Sequence, residues 1–213
     1  MERRIVLISI ECLIFQALYF ATASLAAWRH VQTPWTVTAL DRVIPFMPVF
    51  VWFYLSAYLL DTVGLCLAVW HLDDTQFRGV LVACYATLLM AIVCFLLVPR
   101  MALKPAVNTS SALGLTMAAV QQLTTKYNTF PSLHVAYSVI TAWAAWMSYA
   151  RNRLLSSLLM IDALAVIAST VLVKEHTVID VGGGLVVAAI SIVLARYIDP
   201  TRVLKPVQLS LHV

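Results

Sequence analysis

Charge is what this chain has least of. Asp, Glu, Lys and Arg together supply 11% of its 213 residues, where a soluble domain carries about 25%. That scarcity excludes an ordinary water-soluble globule. Cysteine is scarce as well. Cys12, Cys66, Cys84 and Cys94 all sit inside apolar runs, with neither metal-ligand spacing nor the spacing of a disulfide framework. The chain shows no internal repeat, no low-complexity tract, and no small-residue cleavage site after its first apolar run, which is also too long for a signal-peptide core and reads as a retained span. The formal net charge of +4 reflects Lys and Arg in loops, which sets nucleic acid aside as a partner.

Apolar sequence takes the place of charge. Hydrophobic residues make up 62% of the chain, and the mean hydropathy is +0.90. The expected fold is therefore all-α: a polytopic membrane protein in one domain over 1–213. A membrane helix needs about 20 mostly apolar residues. Six stretches meet or approach that length, at about 5–27, 47–70, 79–98, 132–149, 154–173 and 178–197. Long loops join the first two (28–46) and the third and fourth (99–131).

Orientation follows from Lys and Arg. With the N-terminus inside, the inner segments hold Arg3, Arg4, Arg78, Arg151, Arg153, Arg196, Arg202 and Lys205, and the outer ones hold Arg29, Arg42, Arg100, Lys104, Lys126 and Lys174. The bias is small and favours both termini in the cytoplasm. Parity is more informative. With six spans, the loop after the third, the head of the fourth and the junction of the last two share one membrane face. Those places hold Arg100 and Lys104, Ser132 and His134, and His176 and Asp180. The count alone predicts one composite site, extracytoplasmic in this orientation.

In the 99–131 loop, Ser110 or Ser111 is placed to cap a short helix carrying Leu113, Met117, Val120 and Thr124 at helical spacing. An interfacial helix and a partly ordered loop are both open there. Asn108-Thr109-Ser110 fits a glycosylation acceptor, a tripeptide common by chance. Glu11, Asp61 and Asp162 lie within apolar runs, where a carboxylate is costly unless paired; pairing between helices is the expected role. Gly182, Gly183 and Gly184 are expected to let the last span approach a neighbour.

Two polar islands stand out: NTFPSLHVAYS (128–138) and KEHTVIDVGGG (174–184). His176 and Asp180 are spaced i, i+4, so on a helix the carboxylate faces the ring. It can fix the tautomer and free the other nitrogen as base or nucleophile. A polar pair capping the span is the alternative. His134 follows Pro131 and Ser132 at a helix start, where Pro131 suits the first turn and free N–H groups suit an anion such as phosphate. Ser132 adds a hydroxyl, and His134 then stands as a general acid or as a plain interfacial histidine. Arg100, Lys104 and Lys174 are cations near that anion site, although juxtamembrane charges are common in any case. A helix-start serine among basic residues argues for an anion, so no metal is expected.

Together these residues resemble the type-2 phosphatidic acid phosphatase superfamily of membrane phosphatases and phosphotransferases. Its second motif, Pro-Ser-x-His, is matched by Pro131-Ser132-Leu133-His134. Its third, Ser-Arg, five residues, His, three residues, Asp, is matched in spacing by Ser169-Thr170, VLVKE, His176, TVI and Asp180. Its first motif is irregular here, with Arg100 and Lys104-Pro105 out of the usual spacing. Thr170 replaces the usual arginine and Leu133 the usual glycine. FPSLH, the relaxed third motif and the stretch LDRVIPFMPVFVWFYLS look like the inositol phosphorylceramide synthase-like branch.

The resemblance implies a metal-independent, cofactor-free double displacement on a lipid phosphate. His176 attacks phosphorus and forms a phosphohistidine, and Asp180 orients it. His134 protonates the leaving oxygen and then activates water or an alcohol. Ser132, Arg100 and Lys104 hold phosphate oxygens, with Ser169 a weaker contributor. Lys174 is the inferred substitute for the cation missing at Thr170. Three functions follow: a lipid phosphatase; a phosphotransferase moving a headgroup between lipids; or a non-catalytic transporter or lipid-binding scaffold on the same fold.

Overall fold

The structure, a computed structural model, describes residues 2–197. Arg202 and Lys205, used above for orientation, lie outside the described residues. Among those described, all regular structure is helical. Helix α1 (Glu2–Trp28) is followed by the short α2 (Ala39–Val43). A composite helix over Pro48–Trp70 opens with a 3-10 turn and continues as α3 (Val51–Leu59). A π turn (Leu60–Gly64) links it to α4 (Leu65–Trp70). Then come α5 (Asp74–Leu97), α6 (Ala112–Leu123), α7 (Leu133–Ser148), α8 (Arg153–Leu172) and α9 (Val178–Arg196).

Among the described residues, five helices are long and apolar enough to cross a membrane: Arg3–Trp28, Pro48–Trp70, Asp74–Leu97, Arg153–Leu172 and Val178–Arg196. With their exposed apolar flanks, including Leu13, Leu89, Leu154 and Leu164, they fit a multi-pass integral membrane protein. Two elements differ from the expected spans. Helix α5 begins a turn early, because Asp73 accepts hydrogen bonds from Thr75 and Gln76 amides in a capping box. Helix α7 has 16 residues, about 24 Å at 1.5 Å per residue, short of the ~30 Å hydrocarbon layer.

That short helix is the centre of the bundle. It packs on α4, α5, α8 and α9. Val135, Ala136, Ile140, Ala144, Ala145 and Met147 are wholly buried, and the three alanines let neighbouring helices approach closely. The remaining depth is covered by the irregular segment 127–132. Non-helical backbone at that depth is tolerated only where it is buried in protein or lines a cavity; hydrogen bonds tie this segment to its neighbours, while Thr129 Oγ1 is buried without a partner among the described residues. The Asn128 amide donates to Tyr19 O at 2.7 Å and Thr22 Oγ1 at 2.9 Å. Ser132 N donates to Asp180 O at 3.0 Å. Helix α7 thus starts beside the first turn of α9, at Asp180.

The alternative left open at α6 resolves as a helix. Ser111 caps it, accepting from Gly114 N at 3.1 Å. Met117 and Val120 are buried against Val51, Tyr54 and Val173. Gly114 is obligatory for close approach, since a Cβ there would lie 1.8 Å from Asn108 O. In α9 the three glycines divide. A Cβ on Gly183 would meet the Phe130 ring at 2.5 Å and one on Gly184 would meet Ser132 O at 2.5 Å, whereas Gly182 has nothing within 4 Å.

The span carboxylates divide too. Glu11 accepts from the Tyr137 hydroxyl, and Asp162 accepts from Ser56 Oγ at 2.9 Å. Asp61, on the π turn, is the exception to the pairing expectation: its Oδ1 is buried with no hydrogen-bond partner among the described residues.

Candidate active site

Two local structures build the site. The first is the head of α7. Ser132 is the N-cap and accepts from Val135 N at 3.4 Å. Pro131 therefore precedes the cap instead of occupying the first turn, with its peptide bond to Phe130 in the cis form. The amides of Leu133 and His134 have no hydrogen-bond partner among the described residues, as expected of a helix N-terminus. The second is the turn between α8 and α9. Thr170 O accepts from both Glu175 N (3.1 Å) and His176 N (3.0 Å). Thr177 then caps α9 in a box with Asp180, whose Oδ2 accepts from Thr177 N (2.8 Å) and Oγ1 (2.9 Å). The Ser132–Asp180 backbone bond ties the two structures together.

Their junction sets the histidines face to face. The His134 and His176 ring centroids are 5.7 Å apart. His134 stacks on Tyr54 at 4.5 Å and meets the edge of Tyr58 at 5.7 Å. His176 is 8% exposed, and its Nδ1 lies 3.1 Å from Thr129 O. A carbonyl oxygen only accepts, so this contact assigns the proton to Nδ1 and leaves Nε2 with its lone pair. Asp180 does not make the expected hydrogen bond to the ring: its Oδ2 stands 3.8 Å from Nδ1, beyond hydrogen-bond range, and is turned to the cap of α9, while Oδ1 is buried without a partner among the described residues.

The cations reach the site differently from expectation. Lys104 Nζ is 2.8 Å from Glu175 Oε2, beside His176. It also donates to the Thr124 hydroxyl and to Gln121 O and Thr124 O at 3.3 Å each. Arg100 donates to Thr36 Oγ1 and lies 5.8 Å above the Phe130 ring, next to the Pro131-Ser132 loop. Lys174, expected to replace the motif arginine, is turned elsewhere. Its residue has φ 58°, and its ammonium donates to Asp41 O (2.7 Å) and Ile44 O (2.6 Å) at the end of α2, where a cation suits exposed carbonyls. Ser169 is wholly buried and donates its hydroxyl to Val166 O at 2.7 Å within α8, so it has no proton left for a phosphate oxygen.

Several participants escaped the sequence reading. Thr129 acts through its carbonyl, which side-chain patterns do not report. Asp41 accepts from Val178 N at 2.8 Å, so α2 straps the start of α9. Burial pushes the Asp41 carboxyl up, but the Thr38 hydroxyl and amide, the Val178 amide and Lys174 outweigh it and hold it below the ordinary value. Tyr54 and Tyr58 lie in an apolar run, and nothing in their spacing marks them as a cradle for His134.

From the histidines, a cavity of about 130 Å³ extends into the helix layer, lined by Phe15, Tyr19, Tyr58, Leu123, Tyr137 and others. Its walls include Phe20 and Leu123, both also exposed on the outer surface. The arrangement offers a free imidazole nitrogen, a second imidazole in reach of the same small group, uncommitted helix-start amides and a space for an apolar chain.

The PAP2 superfamily model matches residues 21–194, which takes in both histidine loops and every helix between them. No curated protein and no solved structure matches this chain.

Proposed function

The chain belongs to the PAP2 superfamily, and from that premise we propose that it is an integral membrane lipid phosphatase acting through a phosphohistidine. One observation carries the reading: His176 presents an unpartnered Nε2 opposite His134 at the head of an apolar cavity. A phosphate seated between the rings is met by the Leu133 and His134 amides at the positive end of α7. Nε2 of His176 attacks phosphorus, the phosphorus–oxygen bond to the lipid breaks, and His134, protonated when the phosphate's negative charge sits beside it, gives its proton to the departing oxygen. Water then enters on the same side. His134 takes its proton, the phosphorus–nitrogen bond breaks, and inorganic phosphate leaves. The Nδ1–H bond to Thr129 O steadies the positive charge His176 gains in the first step. This chemistry uses imidazoles and amides and calls for no metal. With both termini in the cytoplasm, the site faces the extracytoplasmic side.

Transfer is the second reading, favoured by the apolar lining of the cavity: a lipid alcohol seated there competes with water for the phosphohistidine. Labelled lipid phosphates incubated with and without alcohols separate the two. Inorganic phosphate marks hydrolysis, and a new phosphodiester marks transfer. His176→Ala is expected to lower either activity by at least 10³-fold, on the order of the loss when a nucleophile is removed, and to abolish acid-labile, base-stable labelling of the protein. A variant that turns over lipid phosphate at the unaltered rate refutes the assignment of His176 as nucleophile, whereas an unaltered protein that turns over none of a broad panel leaves a non-catalytic scaffold.

A further inference from the structure

The cavity is not apolar throughout. One helical turn below the histidines, Glu11, Asp61 and Tyr137 line it. Tyr137 is three residues beyond His134 on α7, and Asp61 three beyond Tyr58, so both lie about 4.5 Å deeper along their helices. Glu11 is 2% exposed; its Oε1 accepts from Tyr137, and its other oxygen has no partner among the described residues. Asp61 Oδ1 is buried and likewise without one. Among the described residues no Lys, Arg or His lies within ion-pair distance of either carboxylate.

Carboxyl groups left open in such surroundings cost free energy unless a donor meets them. A purely hydrocarbon tail supplies none. Asp61 also sits on the π turn that interrupts the Pro48–Trp70 helix, a local irregularity frequent at functional sites. The cavity therefore has two complementary parts: aromatic and aliphatic walls for a chain, and an acceptor shelf at a fixed depth below the phosphate position.

We propose that Glu11 and Asp61 accept hydrogen bonds from a hydroxyl or ammonium group on the substrate's backbone, close to the carbon that bears the phosphate. The inference rests on the phosphate position assigned above. It makes the preferred substrate a single-chain lipid phosphate with a free donor at its second carbon. Fully esterified glycerolipid phosphates and polyprenyl phosphates, which carry no donor there, fit less well.

The test uses purified full-length protein in detergent micelles and hydrolysis-resistant phosphonate analogues, so that turnover does not intervene. Affinities are measured by native mass spectrometry for the analogue of 1-oleoyl lysophosphatidate, its 2-deoxy form, and a sphingoid-base phosphate. The unaltered protein is expected to bind one or both donor-bearing lipids about tenfold tighter than the 2-deoxy form, a factor in keeping with a hydrogen bond to a charged group. The arm preferred identifies hydroxyl or ammonium. Asp61→Asn or Glu11→Gln is expected to cut that preference to about threefold or less. Equal affinity for all three lipids in the unaltered protein overturns the proposal, whatever the folding of the variants. So does full preference retained in both variants. Donor preference without turnover of the corresponding phosphates removes the enzymatic reading and leaves the shelf; turnover without donor preference does the reverse.

Discussion

The Lys104–Glu175 pair is the sharpest place to test how the site is charged. Lys104 was expected to hold phosphate, yet its ammonium lies 2.8 Å from Glu175, and the two side chains are only 12% and 3% exposed. A buried pair is costly to break from one side, about 3–5 kcal/mol, because the surviving charge stays desolvated, while removing both partners is often close to neutral. The geometry ranks the two single changes. In Glu175→Gln, Lys104 keeps the Thr124 hydroxyl and two carbonyls, so the loss belongs near the lower end, about 3 kcal/mol. In Lys104→Met, Glu175 keeps only the Thr124 hydroxyl at 3.0 Å, and its Oε1 is already unpartnered, so the loss approaches about 5 kcal/mol. The double variant is expected to recover most of either loss. Equilibrium unfolding in mixed micelles, read through a complete double-mutant cycle, measures the coupling. A double variant whose loss equals the sum of the single ones refutes the argument, and Lys104 then has no dependence on Glu175.

Other expectations rest on single contacts. Asn128 has φ 60° and donates two buried hydrogen bonds. Alanine there loses the bonds and pays about 1–2 kcal/mol for the left-handed backbone, whereas glycine loses the bonds and about 0.4–1 kcal/mol of chain entropy. Asn128→Ala is thus expected to melt below Asn128→Gly in a thermal assay, and the reverse order refutes the backbone account. Gly184→Ala drives a Cβ to 2.5 Å from Ser132 O and is expected to destabilise by about 1–3 kcal/mol. Gly182→Ala meets nothing within 4 Å and is expected to be neutral or to stabilise by up to about 1 kcal/mol, checked by the same unfolding assay. Asp41, held below its ordinary value of 3.8, contributes stability that is present above that value and lost as pH falls through its lower folded one. The stability gap between the unaltered protein and Asp41→Asn is therefore expected to shrink on acidification, and a gap constant between pH 7 and pH 3 contradicts it.

The legible part of the site was its imidazoles. His134 and His176 are polar residues in an apolar chain, their spacings match the PAP2 motifs, and span parity places both at one membrane face. The two lysines differ from expectation because a lysine's letter carries no record of its partner. Lys174 is the expected substitute for the cation missing at Thr170, but the turn that sets its φ at 58° aims its stem at α2. Ser169 sits at a motif position, yet inside a helix its hydroxyl bonds back to the preceding turn, a local alternative always open to serine. The hydrogen bond expected from Asp180 failed for a related reason: at the third helical position it completes a capping box, and the ring turned to Thr129 O instead.

What the chain by itself determined was set by one-dimensional quantities. Hydropathy and run length give helices that bury apolar flanks in lipid, parity gives the shared face, and residue type gives two imidazoles. Three dimensions decided the rest. The Ser132–Asp180 backbone bond that joins the motifs, the carbonyl that selects a tautomer, the Tyr54 ring under His134 and the Glu11–Asp61 shelf one turn below all depend on residues distant in the chain or on main-chain atoms. Those contacts arise only when α7 packs among longer neighbours, and no periodicity in the sequence encodes which residues its ends meet.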